Sequence, residues 1–250
     1  MRKVSYNEEK ILIDQGIFFA KGVFETILCT SKPILLKEHI DRLKKGMEII
    51  GLEPLEEEML ENFLKSLHIK NKGLKITVTP LNIIINEREL PYRTEDYKNG
   101  FKLSFSKVRR NSTSNLTYIK STGYVENLLE KEKAIKKGYN DTIFLNEKGY
   151  ITETSCSNIF IIKNNEIFTP RVQDGLLSGI IRGWIVENYK VIEKSLTIKD
   201  IKECDEILIT NSLMGIMPVV EIANMKYNRT NYTSRIRENF NEAMKELGGK

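Results

Sequence analysis

Histidine and cysteine are scarce in this 250-residue chain: the histidines are His39 and His68, and the cysteines Cys29, Cys156 and Cys204. The three thiols are odd in number, far apart and free of any CxxC spacing, which argues against a disulfide framework or a zinc knuckle. Two histidines argue against a histidine-rich metal site, and no metal is expected. No apolar run approaches the roughly 20 residues of a membrane-spanning helix, and Met1–Lys10 lacks the apolar core of a signal peptide, so a cytoplasmic address is expected. Neither sign of charge dominates. The 39 basic residues nearly balance 34 acidic ones, for a net charge of +5. They are dispersed through helical segments, which fits a solvated lysine-rich surface better than a nucleic-acid-binding stripe.

The composition that remains, 40% hydrophobic and 29% charged, is that of an ordinary globular protein. Ile11–Ile13 and Gly22–Leu28 read as strand-like segments around a glycine turn. Leu36, Ile40, Leu43, Met47 and Ile50 recur at a helical period that stops at Gly51. A second helix is expected over 55–68, and strands over 74–79 and 100–108. The polar stretch 109–118 has no period and reads as a linker. Beyond it come a helix over 124–137 ending at Gly138, then strands at Asp141–Asn146, Tyr150–Thr154, Asn158–Lys163 and Glu166–Thr169. Gly175–Gly179 leads into a further helix. Thr197–Asp200 has capping-box character with aspartate in the acidic place. Glu206–Thr210 and Met217–Ile222 read as core strands, and 233–247 as an amphipathic helix. This order predicts an α+β protein of two domains, a small N-terminal one over 1–112 and a larger, β-rich one over 113–250.

Several residues could carry chemistry. Lys120 stands after the linker and just before a helix, where an amine can project into a cleft between domains. Desolvation there favours the neutral amine that imine formation or proton transfer requires. Glu153 is a carboxylate in a strand-like segment followed by small polar residues. Such a segment is ordinarily an exposed strand end, but a buried carboxylate there could hold a pyridine nitrogen protonated. His39 and Arg42, at i and i+3, share a helix face. That face is ordinarily solvated, whereas an inward arginine could grip a phosphate. Leu177–Ile181 and Thr210–Ser212 could each offer backbone N–H groups to an anion.

Taken in order, Gly22-Val23-Phe24-Glu25-Thr26, His39–Leu43, Ile119-Lys120-Ser121, Ala134–Gly138, Tyr150–Phe160, Thr169-Pro170 and Leu177–Arg182 resemble the class IV aminotransferases, enzymes that use pyridoxal 5'-phosphate (PLP). The string Thr-Glu-Thr-Ser-Cys-Ser-Asn-Ile-Phe is the most specific part. The resemblance runs from Asp14 to about Val220. It implies the two-domain fold type IV and a homodimer with no membrane or nucleic-acid partner. Lys120 matches the Schiff-base lysine, and Glu153 the partner of the pyridine nitrogen. Arg42 matches the phosphate arginine, and Ile180 and Ile181 the helix-start amides on that phosphate. Ser212 matches a phosphate-contacting hydroxyl position, and Ser157 and Asn158 the polar run beside the cofactor.

Within the family the chain is most similar to the aminodeoxychorismate lyase branch. The short length and Asn211-Ser212-Leu213-Met214 followed by Met217-Pro218-Val219 carry that resemblance. Phe24 stands where D-amino-acid transaminases usually have tyrosine. Phe24 and Thr26 then fall on the substrate side, and Arg109 is a candidate for a substrate carboxylate, with Arg110 as its alternative. The implied reaction converts 4-amino-4-deoxychorismate to 4-aminobenzoate and pyruvate, in folate biosynthesis, with Lys120 as base. Amino-group transfer with a branched-chain or D-amino acid is the alternative. The chain departs from the family at Ala20-Lys21-Gly22, at Ile181 in place of a threonine, and over 81–93, which lacks the expected Gly- and Arg-rich loop.

Overall fold

A computed structural model describes residues 2–227 and 231–248. The chain forms two compact units. The first comprises residues up to Pro91, the short return segment Ile119–Tyr124 and the chain from Glu242; the second comprises Tyr92–Tyr118 and Val125–Asn241. The units therefore divide after Pro91 rather than at 112, and the stretch around Lys120 belongs to the first.

In the first unit, β1 (Lys3–Tyr6), α1 (Gln15–Phe19), β2 (Val23–Cys29), α2 (Leu36–Ile49), α3 (Glu57–Ser66), β3 (Lys72–Val78) and β4 (Asn82–Arg88) follow one another. The strands form one sheet in the order β1-β4-β3-β2, with β1 parallel to β4 and the other pairs antiparallel. Side chains alternate across a strand, so Val23, Ile27 and Cys29 of β2 join Ile40, Leu43 and Met47 of α2 in one buried cluster. The segment 81–93, expected to be a loop, is instead mostly β4. Its Ile83-Ile84-Ile85 run suits a strand flanked on both sides. Ile11–Ile13, expected to be strand-like, forms no strand. The Asn82 side chain bonds both the N–H and the carbonyl of Leu12 (2.8 and 2.9 Å), substituting for a neighbouring strand. Asp14 then caps α1 through the Gly16 N–H.

The second unit contains α4 (Thr94–Asn99), β5 (Phe101–Arg110), α5 (Val125–Lys136), β6 (Asp141–Asn146), β7 (Ile151–Thr154), β8 (Asn158–Lys163), β9 (Glu166–Thr169), α6 (Ile180–Asn188), β10 (Val191–Glu193), α7 (Ile198–Glu203), β11 (Glu206–Asn211), β12 (Gly215–Ile222), β13 (Met225–Lys226) and the part of α8 (Asn231–Gly248) up to Asn241. Its strands run β10-β9-β8-β11-β12-β5-β6-β7, with β13 on β12, and β7 pairs back onto β8. That last pairing closes six strands into a ring. The expected linker 109–118 is not one: Arg109 and Arg110 end β5, and Asn115–Tyr118 is a 3-10 turn within the same unit. Both buried faces of this sheet suit continuous apolar runs such as Ile159–Ile162. The capping box on α7 forms as expected, Thr197 and Asp200 satisfying each other's backbone N–H groups. Among the described residues no helix is long and apolar enough to cross a membrane.

Candidate active site

The first unit places Lys120 by backbone pairing. The Phe24 N–H donates to the Lys120 carbonyl at 2.8 Å, the Thr122 N–H donates to Gly22, and Val23 bridges Ser121. The 120–122 segment thus lies antiparallel along the start of β2. Its amine sits over the Phe24 ring, 4.4 Å from the centroid, and 5.0 Å from that of Tyr124. Phe24 and Tyr124 meet edge to face at 5.3 Å. A second amine, Lys75, lies 4.6 Å from the Phe24 centroid. Lys75 pairs with Thr26 across β2 and β3, and Phe24 with Thr77, so these side chains share one face of the sheet. Burial pushes the Lys75 pKa down, and Arg88 adds to the effect. Both amines therefore lie on one aromatic ring, each within the range of cation–π attraction.

On the opposite face of β2, Glu25 is buried with His39 and Arg42 of α2. Arg42 grips its carboxylate through Nε and Nη2, both at 2.7 Å, and His39 Nδ1 lies 2.7 Å from Oε2. Burial opposes the charge on Glu25, but Arg42 and His39 outweigh it and hold the carboxyl far below the usual carboxylate range. Burial lowers the His39 pKa, so His39 is neutral near neutral pH and its Nδ1–H donates to Glu25. The shared face expected for His39 and Arg42 exists, and it points inward.

The second unit assembles the other residues. Glu153 and Asn158 are cross-strand partners at the closure of the ring. The peptide of Leu177 ties both: its N–H donates to Glu153 Oε2 at 3.2 Å, and its carbonyl accepts from Asn158 Nδ2 at 2.8 Å. Gly179 then begins α6 without a side-chain cap, leaving the helix-start amides at Ile180 and Ile181 to other acceptors. A Cβ at Gly179 would meet Asn158 Oδ1 at 1.9 Å, so only glycine fits. Ser157 accepts from Asn211 Nδ2 at 3.1 Å, and Asn211 also bonds the Tyr92 hydroxyl at 2.9 Å. Its Oδ1 accepts the Leu213 and Met214 N–H groups, shaping the turn that carries Ser212. One residue earlier, the buried Thr210 hydroxyl has no hydrogen-bond partner among the described residues.

The predicted site residues thus fall into two sets. Phe24, Thr26, Arg42 and Lys120 lie in the first unit; Glu153, Ser157, Asn158, Ile180, Ile181 and Ser212 lie in the second. Arg109 is exposed near the end of β5. Its neighbour Arg110 is the arginine that reaches Glu153, Nη2 lying 3.6 Å from Oε1. Sequence reasoning did not single out Lys75 or Tyr124, and it gave no role to the side chains of Asn211 or Glu25. Lys75 had a readable signal, a lone cation among Leu74, Ile76 and Val78.

The Amino-transferase class IV family model matches residues 22–222. The chain belongs to the class IV aminotransferases. It is 30% identical to a "Putative branched-chain-amino-acid aminotransferase" of Methanocaldococcus jannaschii, over 95% of this chain and 92% of that relative. It is 29% identical to the aminodeoxychorismate lyase of Bacillus subtilis, over 89% of this chain and 86% of the relative. Among solved structures it superposes on a "Putative 4-amino-4-deoxychorismate lyase" of Legionella pneumophila with a TM-score of 0.86 at 26% identity, covering 96% and 98% of the two chains. The branched-chain aminotransferase of Thermoproteus uzoniensis shares the fold, with a TM-score of 0.85 at 22% identity over 95% and 90% of the chains. This class IV aminotransferase therefore has the α+β fold type IV and depends on PLP. Its residues suit that cofactor. The uncapped start of α6 against Asn158, the glycine-only approach at Gly179 and the orphaned Thr210 hydroxyl fit an anionic, hydrogen-bond-accepting group.

Proposed function

We propose that this class IV enzyme is an aminodeoxychorismate lyase, releasing 4-aminobenzoate and pyruvate from 4-amino-4-deoxychorismate. The observation that carries the reading is the pair of amines, Lys75 and Lys120, on the Phe24 ring. The substrate has two carboxylates, and a partly desolvated lysine beside the catalytic amine supplies a counter-charge that a neutral amino-acid side chain would not need. The Asn211–Met214 turn, fixed by the Asn211 side chain, and the Bacillus relative support the same branch.

When bound, PLP supplies an aldehyde that links covalently to amines and a ring that accepts electron density. Lys120 would hold it, Arg42, Ile180, Ile181 and Ser212 would bind its phosphate, Glu153 would keep the ring nitrogen protonated, and Ser157 and Asn158 would line its side. Once the substrate amine has taken its place, the freed Lys120 amine would take the proton from the substrate carbon that bears nitrogen. The carbon–oxygen bond to the enolpyruvyl group breaks as the ring becomes aromatic, and a proton returned to the enolpyruvyl carbon completes pyruvate. Phe24 and Thr26 form one wall of the substrate site and Lys75 binds a carboxylate. A cytoplasmic homodimer in folate biosynthesis belongs to the same proposal.

Amino-group transfer is the second reading, supported by the Methanocaldococcus relative. One assay separates the two. PLP-loaded enzyme is expected to release 4-aminobenzoate and pyruvate in equal amounts, Lys120→Ala to release neither, and Lys75→Met to raise KM at least tenfold. If branched-chain or D-amino acids instead convert the bound cofactor to its amine form, and a keto acid reverses this with no pyruvate release from aminodeoxychorismate, the enzyme is a transaminase.

A further inference from the structure

We propose that Arg110 is a positioning residue that acts on the cofactor through Glu153, holding that carboxylate in place and weakening it as a base, rather than a ligand for substrate.

The guanidinium is built into the second unit from three sides. It lies against the Phe144 ring, 3.9 Å from the centroid. Nη1 donates to Asn127 Oδ1 at 3.2 Å, and Asn127 in turn donates to the Ser155 carbonyl at 2.7 Å. Nη2 faces Glu153 Oε1 at 3.6 Å, while the more exposed Glu126 lies 3.6 Å from Nη1. The Arg110 side chain is only 11% exposed, and Nε and Nη2 make no hydrogen bond among the described residues. A substrate ligand would present its fork to solvent. Here the plane of the fork is stacked and tethered.

Glu153 is consequently held at both oxygens, Oε2 by the Leu177 N–H and Oε1 by the charge of Arg110. A cation beside a carboxylate favours its ionised form and lowers its attraction for a further proton. Glu153 thus stays charged while sharing that charge between Arg110 and the ring nitrogen. The arginine thereby limits how strongly the ring is held protonated, and with it the electron demand on the Lys120 side of the cofactor. This inference rests on Glu153 being the partner of the ring nitrogen.

The test is a pH titration of the bound-cofactor absorbance, with PLP affinity and KM, for holoenzyme carrying Arg110→Gln, Arg110→Lys or Glu153→Gln. Removing a nearby positive charge raises the pKa of any protonation on the cofactor, so Arg110→Gln is expected to move the spectral midpoint up by about one pH unit. Arg110→Lys, which keeps the charge without the planar fork, is expected to give a smaller rise. An unchanged midpoint with only KM raised makes Arg110 a substrate ligand and overturns the proposal. Should Arg110→Gln fail to fold, Arg110→Lys decides: its midpoint must rise, and an unmoved midpoint rejects the inference. Glu153→Gln separates the two levels. If it leaves midpoint and PLP affinity at the wild-type values, the assignment of Glu153 itself fails. If it shifts them while neither Arg110 variant does, only the role of Arg110 falls.

Discussion

At the scale of residues, the buried Glu25–His39–Arg42 group shows an arginine held in place from behind. Glu25 fixes two nitrogens of the arginine proposed to meet the phosphate. A buried pair is strongly destabilised when one partner is lost, because the other charge is left uncompensated. Glu25→Gln is therefore expected to cost about 3–5 kcal/mol of stability near neutral pH and to weaken PLP retention. The pH dependence has a definite sign. A carboxyl whose folded pKa is depressed contributes stability that is complete above its ordinary value of 4.5 and is lost as pH falls toward the folded value. His39, lowered from 6.5, works in the same direction, since the unfolded imidazole takes up a proton first as acid is added. In urea unfolding from pH 7 to pH 3, the gap between wild type and Glu25→Gln is expected to narrow below pH 4.5. A gap of constant size would show that the charge of Glu25 contributes nothing. The sequence showed His39 and Arg42 on one face but not that the face was buried, because only the cross-contact with β2 decides that.

Elements place the remaining groups, and α6 gives the sharpest case. Its two glycines have opposite meanings. A Cβ at Gly179 would drive into Asn158 Oδ1, whereas at Gly183 nothing lies within 4 Å. Gly183→Ala is expected to stabilise the helix by about 0.5–1 kcal/mol and leave PLP affinity unchanged. Gly179→Ala must displace Asn158 from the Leu177 carbonyl, and is expected to weaken PLP binding at least tenfold. Reconstitution of both apo variants with PLP, followed by fluorescence, checks the contrast; equal affinities would detach Gly179 from the cofactor site. Elements with strong local signals were legible in the sequence: the period of α2, the strand-like segment of β2 beside its glycine turn and the capping box on α7. Those set by distant partners were not. Ile83–Ile85 becomes β4 only because β1 and β3 flank it. Arg109 and Arg110 end a strand because β5 runs parallel to β12 and β6, both far along the chain. Side chains alternate along the end of β5, which leaves Arg109 exposed and turns Arg110 toward Glu153.

At the scale of the whole molecule, the division into two units was legible from the mixed order of helices and strands, but its position was not. The return of Ile119–Tyr124 to the first unit depends on backbone pairing with β2, which a local reading of 109–120 cannot contain. Assembly is the remaining question at this scale. Around α1, Ile13, Ile17, Phe18 and Phe19 are all more than half exposed, the last at 78%. Single exposed apolar residues are common, whereas contiguous exposed apolar groups are the kind of surface that partners cover. We propose that the homodimer interface includes this one. Replacing Phe18 and Phe19 together with glutamate would place two charges in an apolar interface, where each lacks a partner and must be desolvated. In sedimentation equilibrium, wild type is expected at twice the chain mass and the double variant at the monomer mass, both retaining wild-type circular dichroism. The wild-type melting temperature should also rise with protein concentration, as mass action requires of a folded dimer. A monomeric wild type would remove the dimer, and a double variant still dimeric would place the interface away from α1.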